Sequence, residues 1–494
     1  MPPFKPLAVT LFVTTFALTV HATPMSLPRS TPESQGVSSS VLLSAVEALD
    51  AIDAMNSFML VRHGKVVAEG WWSPYGPENR HELYSLSKSF TSTAVGMAIA
   101  EGKVSVDDEV LKFFPEDAPA SPSANLKAMR IRDLLSMSTG HQDEPSSAST
   151  NVCPKTFYAQ PVPHKPGTHF KYNTAATFML SAIVQKQTGQ TVLDYLQPRL
   201  FHPLGIDHPT WDTNFQGVSL GGYGLKVRTE DIAKFGQLYL QQGKWEERQL
   251  VPASWVASAT SKQTSNGSSP TSDWDQGYGY QFWRCRHGAY RGDGAFGQYC
   301  LVLPEQDAVI AITSGVKDMQ AVLNIIWDKL LPAFQYHRPS PDSASQAKLT
   351  AKLTHLSVRT AEGAAGSSIE ASIIGKRFKF TENDQKIEWL QITQTQGGHW
   401  TLATKANGVE STVDCQFGSW TKGNAPFATY THAPLAASAA WASNDTLIVK
   451  TCAFETPFYS ILKLHFDGNQ VTREWETNVG FGRTKPGPLI GQAQ

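Results

Sequence analysis

The chain has 494 residues, 41% hydrophobic and 17% charged, and 42 Lys plus Arg against 43 Asp plus Glu leave a formal net charge of −1. That balance excludes a nucleic-acid binder living on phosphate neutralisation, which would carry a basic excess. An aromatic content of 10% with so little charge excludes intrinsic disorder, and the length implies two to four globular domains.

In chain order, residues 1–22 read as a signal peptide. Lys5 supplies the positive start, Leu7 to Val20 is an apolar run, and Val20-His21-Ala22 has the small-residue pattern of a cleavage site. The run is shorter than the ~20 residues that cross a bilayer, and no other stretch is apolar enough to span one. The reading is export, to the periplasm or the medium, with a mature chain starting near Thr23.

Residues 23–338 mix strands and helices. Phe58 to Val67 predicts a hairpin turning at His63-Gly64. Phe90 to Ala100 predicts a helix ended by Gly102, and Thr174 to Gln187 a second ended by Gly189. A further strand group runs from Tyr278 through Ile312, broken by Gly288, Gly292, Gly294 and Gly297. Strands at both ends with helices between them predict an α+β domain, one antiparallel sheet made from the two ends with an inserted helical region. Residues 339–366, rich in Ser, Ala and Pro, read as a linker. In residues 367–494 the pattern turns to period two, as in Ile369 to Ile373, Trp400 to Ala403, Leu447 to Lys450 and Tyr459 to Phe466. Turn signals at Gly397-Gly398, Asn407-Gly408 and Asp467-Gly468 separate the runs and predict a small antiparallel β barrel or sandwich.

Five cysteines, 153, 285, 300, 415 and 452, leave at least one without an intrachain partner, and Cys415 with Cys452 is the favoured disulfide. There is no CxxC and no HExxH, and the 14 histidines are scattered. No metal and no cofactor are expected. Serine chemistry remains, with two signatures. Gly217-Val218-Ser219-Leu220-Gly221 matches GxSxG, but no strand precedes it and Gly222-Tyr223-Gly224 cannot start a helix well, so it reads as a loop. Ser85-Leu86-Ser87-Lys88 is an S-x-x-K motif. Residues three apart share a helix face, so the lysine amine meets the serine hydroxyl and, if burial keeps it neutral, can take the hydroxyl proton. The spacing recurs at Ser314/Lys317, Ser345/Lys348, Ser419/Lys422 and Ser460/Lys463, but only Ser85 opens an apolar helix. On spacing and context, an N-capping serine with a surface lysine fits equally well.

The wider stretch Glu82 to Ser92 resembles the nucleophile helix of the class C β-lactamase-like serine hydrolases, a superfamily of DD-peptidases, carboxylesterases, D-amino-acid amidases and nylon-oligomer hydrolases. Ile131 to Gly140, Pro166 to Asn173, Pro203 to Ile206, Thr229 to Gly236 and Gly292 to Gln298 resemble it in the same order, over roughly residues 29–335. The resemblance implies a β-lactamase/transpeptidase-like fold with Ser85 as nucleophile forming an acyl-enzyme, Lys88 as its base and Tyr172 as proton shuttle. It implies an oxyanion hole from the backbone N–H of Ser85 and of Ala295 or Phe296. Tyr84, Asn173, Trp283, Asp293 and Gly294 then fall among the substrate-binding positions, and the aromatic residues Tyr84, Trp283, Tyr290 and Phe296, near the site in sequence, read either as the lining of an acyl pocket or as core packing.

Two departures bear on substrate. Thr174 stands where many members carry the asparagine of Y-x-N, and Asp293-Gly294-Ala295 replaces K-T-G or H-x-G. An ionised Asp293 would repel the carboxylate that the family lysine holds, or attract a cation, unless Arg291 supplies positive charge instead. The expectation is therefore an ester or amide hydrolase acting on a small molecule or short peptide. β-Lactamase or D-Ala-D-Ala peptidase activity is the alternative, and a non-catalytic cell-wall binding protein a further one. The C-terminal domain could cover the site, dimerise or bind a polymer.

Overall fold

The computed structural model describes residues 26–144, 150–335, 339–394, 399–427 and 430–494. The expected signal peptide and the Gly397-Gly398 turn lie outside these residues.

Ser38 caps α1 (Ser39–Asp50) by accepting from the Val41 N–H. The chain then forms β1 (Met55–Arg62) and β2 (Lys65–Trp71), joined by His63 and Gly64 at φ +49° and +71°. Two positive φ values define the tight turn that matches strand twist, which is why this dipeptide reads as a hairpin. A 3₁₀ turn at Tyr84–Leu86 leads directly into α2 (Ser87–Ala100). Next come α3 (Thr174–Thr188) and α4 (Thr229–Leu240). The chain returns to the sheet through β3 (Trp283–Arg284), β4 (Tyr290–Gly294), β5 (Gln298–Leu303) and β6 (Ala308–Ser314), followed by α5 (Met319–Ile325).

The order β2-β1-β6-β5-β4-β3 is antiparallel throughout, with Leu60 opposite both Ile310 and Ala68. This is the sheet built from the two ends of the domain, in a mixed α and β fold. Alternate residues serve opposite cores. Phe58 and Leu60 pack with α1 and α5, while Met59 and Val61 pack with α2 and α4, so β1 is buried on both faces.

Within the expected linker, Asp342 caps a helix, α6 (Ser343–Thr354), by accepting from the Ser345 N–H. Leu353 and Leu356 close onto Gly70 of β2, so part of this segment belongs to the first domain's surface. The residues read as a strand at Ile369–Ile373 are instead a short helix, Glu370–Ile373. The Ser367 N–H donates to Glu370 Oε1 and the Glu370 N–H to Ser367 O, and this Ser-x-x-Glu pair turns the backbone where alternation suggested extension.

The C-terminal strands are β7 (Arg377–Phe380), β8 (Ile387–Gln394), β9 (Trp400–Ala406), β10 (Val409–Phe417), β11 (Thr421–Phe427) and β12 (Tyr430–Ser443). They continue with β13 (Thr446–Ala453), β14 (Tyr459–Asp467), β15 (Gln470–Thr477) and β16 (Leu489–Ala493). Parallel pairing of β10 with β12 at Gln416–Ser438 closes nine strands into a barrel, with β11 paired alongside β12. Leu462, Leu464 and Phe466 point inward at period two onto Trp400 and Trp441, which fill the barrel. The five cysteines are free thiols, which corrects the Cys415–Cys452 disulfide. Among the described residues, no helix is long and apolar enough to cross a membrane.

Candidate active site

Ser85 lies in the 3₁₀ turn ahead of α2, and Lys88 one turn later is 1% exposed. Lys88 Nζ is 3.0 Å from Ser85 Oγ, 2.9 Å from Gly222 O and 3.3 Å from Thr174 Oγ1. Burial pushes its pKa down to about 7, against the raising pull of Glu144 and Asp293. A neutral amine has two N–H donors and one lone pair. The Gly222 carbonyl can only accept, so it takes one donor, which leaves the second N–H and the lone pair for Thr174 Oγ1 and Ser85 Oγ.

The Tyr172 hydroxyl lies near Ser85, and Lys88 Nζ sits 4.9 Å from the Tyr172 ring centroid. Burial holds its phenol protonated, well above the usual range. The ring stacks on Trp283 at 5.5 Å and 16°, so Trp283 orients Tyr172.

Strand β4 runs against the 3₁₀ turn that carries Ser85. A Cβ on Gly294 would stand 2.0 Å from Leu83 O and 3.2 Å from Ser85 N, so only glycine permits this approach. Ala295 and Phe296 follow at once, Phe296 with φ +68°.

Three expectations need correction. Asn173 does not offer its amide outward: it is fully buried and caps α3, its Oδ1 accepting from the Ala176 N–H at 3.0 Å. Thr174, not Asn173, reaches the lysine. Asn173→Ala should cost about 1 kcal/mol of stability, as lost caps do, with Asn173→Ser recovering most of it. Denaturant titration checks this; unchanged stability with a raised KM would make Asn173 a substrate ligand. Asp293 and Arg291 are not separate charges for a substrate either. Arg291 Nη2 is 2.8 Å from Asp293 Oδ2, and Arg291 is fully buried, with Nη1 donating to Asp273 O at 2.8 Å and its guanidinium 4.5 Å from the Trp274 ring centroid. Burial pushes the Asp293 carboxyl up while the guanidinium opposes that push, and the pair presents no net charge. Tyr290, finally, belongs to the core against Phe282.

Other contributors carry no sequence signal. The loop with the discarded GxSxG supplies Gly222 O, and Ser219 there is buried. Glu144 Oε1 accepts from the Thr174 N–H at 2.7 Å. Glu82, buried three residues before Ser85, has its pKa raised to about 7 by desolvation. Its Oε1 accepts from the N–H groups of Tyr84 and Gly224, which fixes the turn. No cluster of metal-binding side chains occurs among the described residues.

A family model described as Beta-lactamase matches residues 46–324. The chain is 25% identical over 287 residues to a 6-aminohexanoate-dimer hydrolase of Paenarthrobacter ureafaciens, covering 53% of this chain and 73% of that protein. It is 27% identical over 152 residues to a candidate D-alanyl-D-alanine carboxypeptidase of Escherichia coli, covering 28% of this chain and only 35% of that one. A candidate 6-aminohexanoate-dimer hydrolase from Bacillus anthracis superposes with a TM-score of 0.52 at 19% identity, over 62% of this chain and 87% of that one, a likeness of fold.

Proposed function

The chain belongs to the Beta-lactamase family, in its class C-like serine hydrolase branch, and from that premise we propose that it hydrolyses an ester or amide through an acyl-enzyme on Ser85. The observation that carries the reading is the buried Lys88 amine, 3.0 Å from Ser85 Oγ with its pKa pushed down to about 7.

Lys88 Nζ takes the Ser85 hydroxyl proton as Oγ attacks the carbonyl carbon. The oxyanion forms against the N–H of Ser85 and that of Ala295 or Phe296. On collapse, the leaving nitrogen or oxygen takes a proton from the Tyr172 hydroxyl, which is refilled from Lys88. A water then enters and gives its proton to the same pair as its oxygen bonds the acyl carbon; the bond from that carbon to Ser85 Oγ breaks, Oγ takes the proton back from the pair, and the acid is released. The neutralised Arg291–Asp293 pair supports a substrate without the carboxylate that a β-lactam or a peptidoglycan peptide carries. A relative named for the hydrolysis of an amide dimer supports amide cleavage as the chemistry. Export is part of the proposal and rests on Lys5, the apolar run and Ala22.

A fluorophosphonate should leave one adduct per chain, on the proteolytic peptide carrying Ser85. Short-chain nitrophenyl esters should be turned over in preference to a chromogenic cephalosporin. An adduct elsewhere or none sinks the reading, and preference for the cephalosporin would reassign the substrate to β-lactams. Muropeptide binding without turnover on any ester or amide would instead make this a binding protein.

A further inference from the structure

The barrel is seated on the edge of the candidate site. Between β13 and β14, Glu455 O accepts from the Glu82 N–H at 2.9 Å and Thr456 O from the Tyr75 hydroxyl at 2.8 Å. Pro457 O lies where a Cβ on Gly315 would be 1.9 Å away. Asn478 clasps the seam, donating through Nδ2 to Gly315 O and Pro457 O, both at 2.8 Å, while its Oδ1 accepts from the Tyr459 N–H. The seam therefore runs within three residues of Ser85, and its polar groups are paired across the two domains.

These contacts bring two barrel phenylalanines against two residues that flank the nucleophile. The Tyr84 ring makes edge contacts with Phe296 at 5.7 Å, Phe458 at 6.3 Å and Phe481 at 5.5 Å. Phe296 contacts Phe458 at 5.7 Å and Phe481 at 4.9 Å. Tyr84 precedes Ser85, and Phe296 lies two residues after Gly294, the glycine that touches the Ser85 backbone. Phe481 is 76% exposed, in the Gly480-Phe481-Gly482 loop that a Thr477 N–H to Thr484 O bond closes. A large apolar ring packed on Tyr84 and Phe296 with most of its surface uncovered gains by being covered.

We propose that Tyr84, Phe296, Phe458 and Phe481 form an apolar subsite built across the domain seam, which takes the acyl portion of the substrate, an aliphatic or aryl chain of several carbons. The proposal rests on the hydrolase reading. The leaving group must reach the Tyr172 hydroxyl, and Tyr172 belongs to a separate aromatic set with Phe170, Tyr278 and Trp283. The acyl chain, on the opposite side of the carbonyl carbon, is the part left for the seam cluster. The barrel is then a specificity element.

The test compares nitrophenyl hexanoate with nitrophenyl acetate in wild type, Phe481→Ala, Phe481→Leu and Phe458→Ala, in the full-length enzyme. The readout is the ratio of the two kcat/KM values, which a general loss of activity or folding does not move. We expect the ratio to fall about tenfold in Phe481→Ala, the scale of a few apolar contacts, to fall in Phe458→Ala, and to be largely kept in Phe481→Leu. An unmoved ratio in an enzyme that forms the Ser85 adduct overturns the subsite alone. So does a changed preference among leaving groups at a constant acyl chain. Failure of wild type to form the adduct overturns the hydrolase reading and the subsite with it.

Discussion

Lys88→Met should lower kcat/KM for a nitrophenyl ester about 10²–10⁴-fold and, at neutral pH, raise the melting temperature by a few degrees. The first effect follows from removing the amine that lies 3.0 Å from Ser85 Oγ. The second follows from burial: Lys88 has its pKa pushed down from 10.5 to about 7, so folding disfavours its charged form. Below pH 7 the amine is charged in both states and the cost of burying it is fully present. Between pH 7 and 10.5 the folded protein releases a proton that the unfolded chain keeps, and the cost fades. The melting advantage of Lys88→Met should thus be largest near pH 6 and shrink toward pH 10, which a calorimetric series would measure. The unpaired Gly222 carbonyl left behind reduces the gain without reversing its pH dependence. In wild type, kcat/KM should rise with pH through about 7 as the lysine becomes a base. Glu82 is also pushed to about 7, so Glu82→Gln serves as the control, keeping the acceptor oxygen and the limb. A wild-type profile flat from pH 6 to 8, or a Lys88→Met protein less stable at every pH, would refute the neutral buried base.

Gly294→Ala should lower kcat about 10²–10³-fold, the loss expected when an oxyanion donor is displaced. The added methyl would sit 2.0 Å from Leu83 O, a backbone atom of the nucleophile turn, so β4 must move away from Ser85. Both proposed oxyanion donors flank that contact. Overpacking alone costs about 1–3 kcal/mol, so a control must separate stability from chemistry. Gly236→Ala provides it, because its methyl would meet Val309 and Cys300 in the core between α4 and the sheet, with no atom of the Ser85 turn among its contacts. Stopped-flow acylation and thermal melting of both variants decide the matter. If the two lose kcat alike at equal loss of stability, Gly294 spaces the fold and not the oxyanion hole.

Legibility in the sequence followed the range of the interaction. The His63-Gly64 hairpin, the helix ended by Gly189 and the period-two barrel strands depend on dihedral preference and alternation, which neighbouring residues carry. The Ser85–Lys88 contact was readable because three residues of helix fix its geometry. The α6 helix and the Glu370–Ile373 turn were missed because composition and alternation outweighed the Asp342-x-x-Ser345 and Ser367-x-x-Glu370 starts. Asn173 was read through a family role, whereas its amide oxygen is consumed by the helix it begins.

By itself, the sequence determined a two-part chain of near-zero net charge, an α+β sheet made from both ends of the first part, a β-rich second part, and the family motif around Ser85. The tertiary structure alone decided the electrostatics and the walls of the site. Lys88 approaches neutrality because Gly222 and the packed helices exclude water from it, and Gly222 lies far along the chain. Asp293 loses its expected charge effect because Arg291 is buried on top of it. Phe458 and Phe481 reach Tyr84 only because the barrel docks where the nucleophile turn begins. Burial and through-space contact between distant segments are properties of the packed chain, and local patterns do not encode which distant residue will arrive.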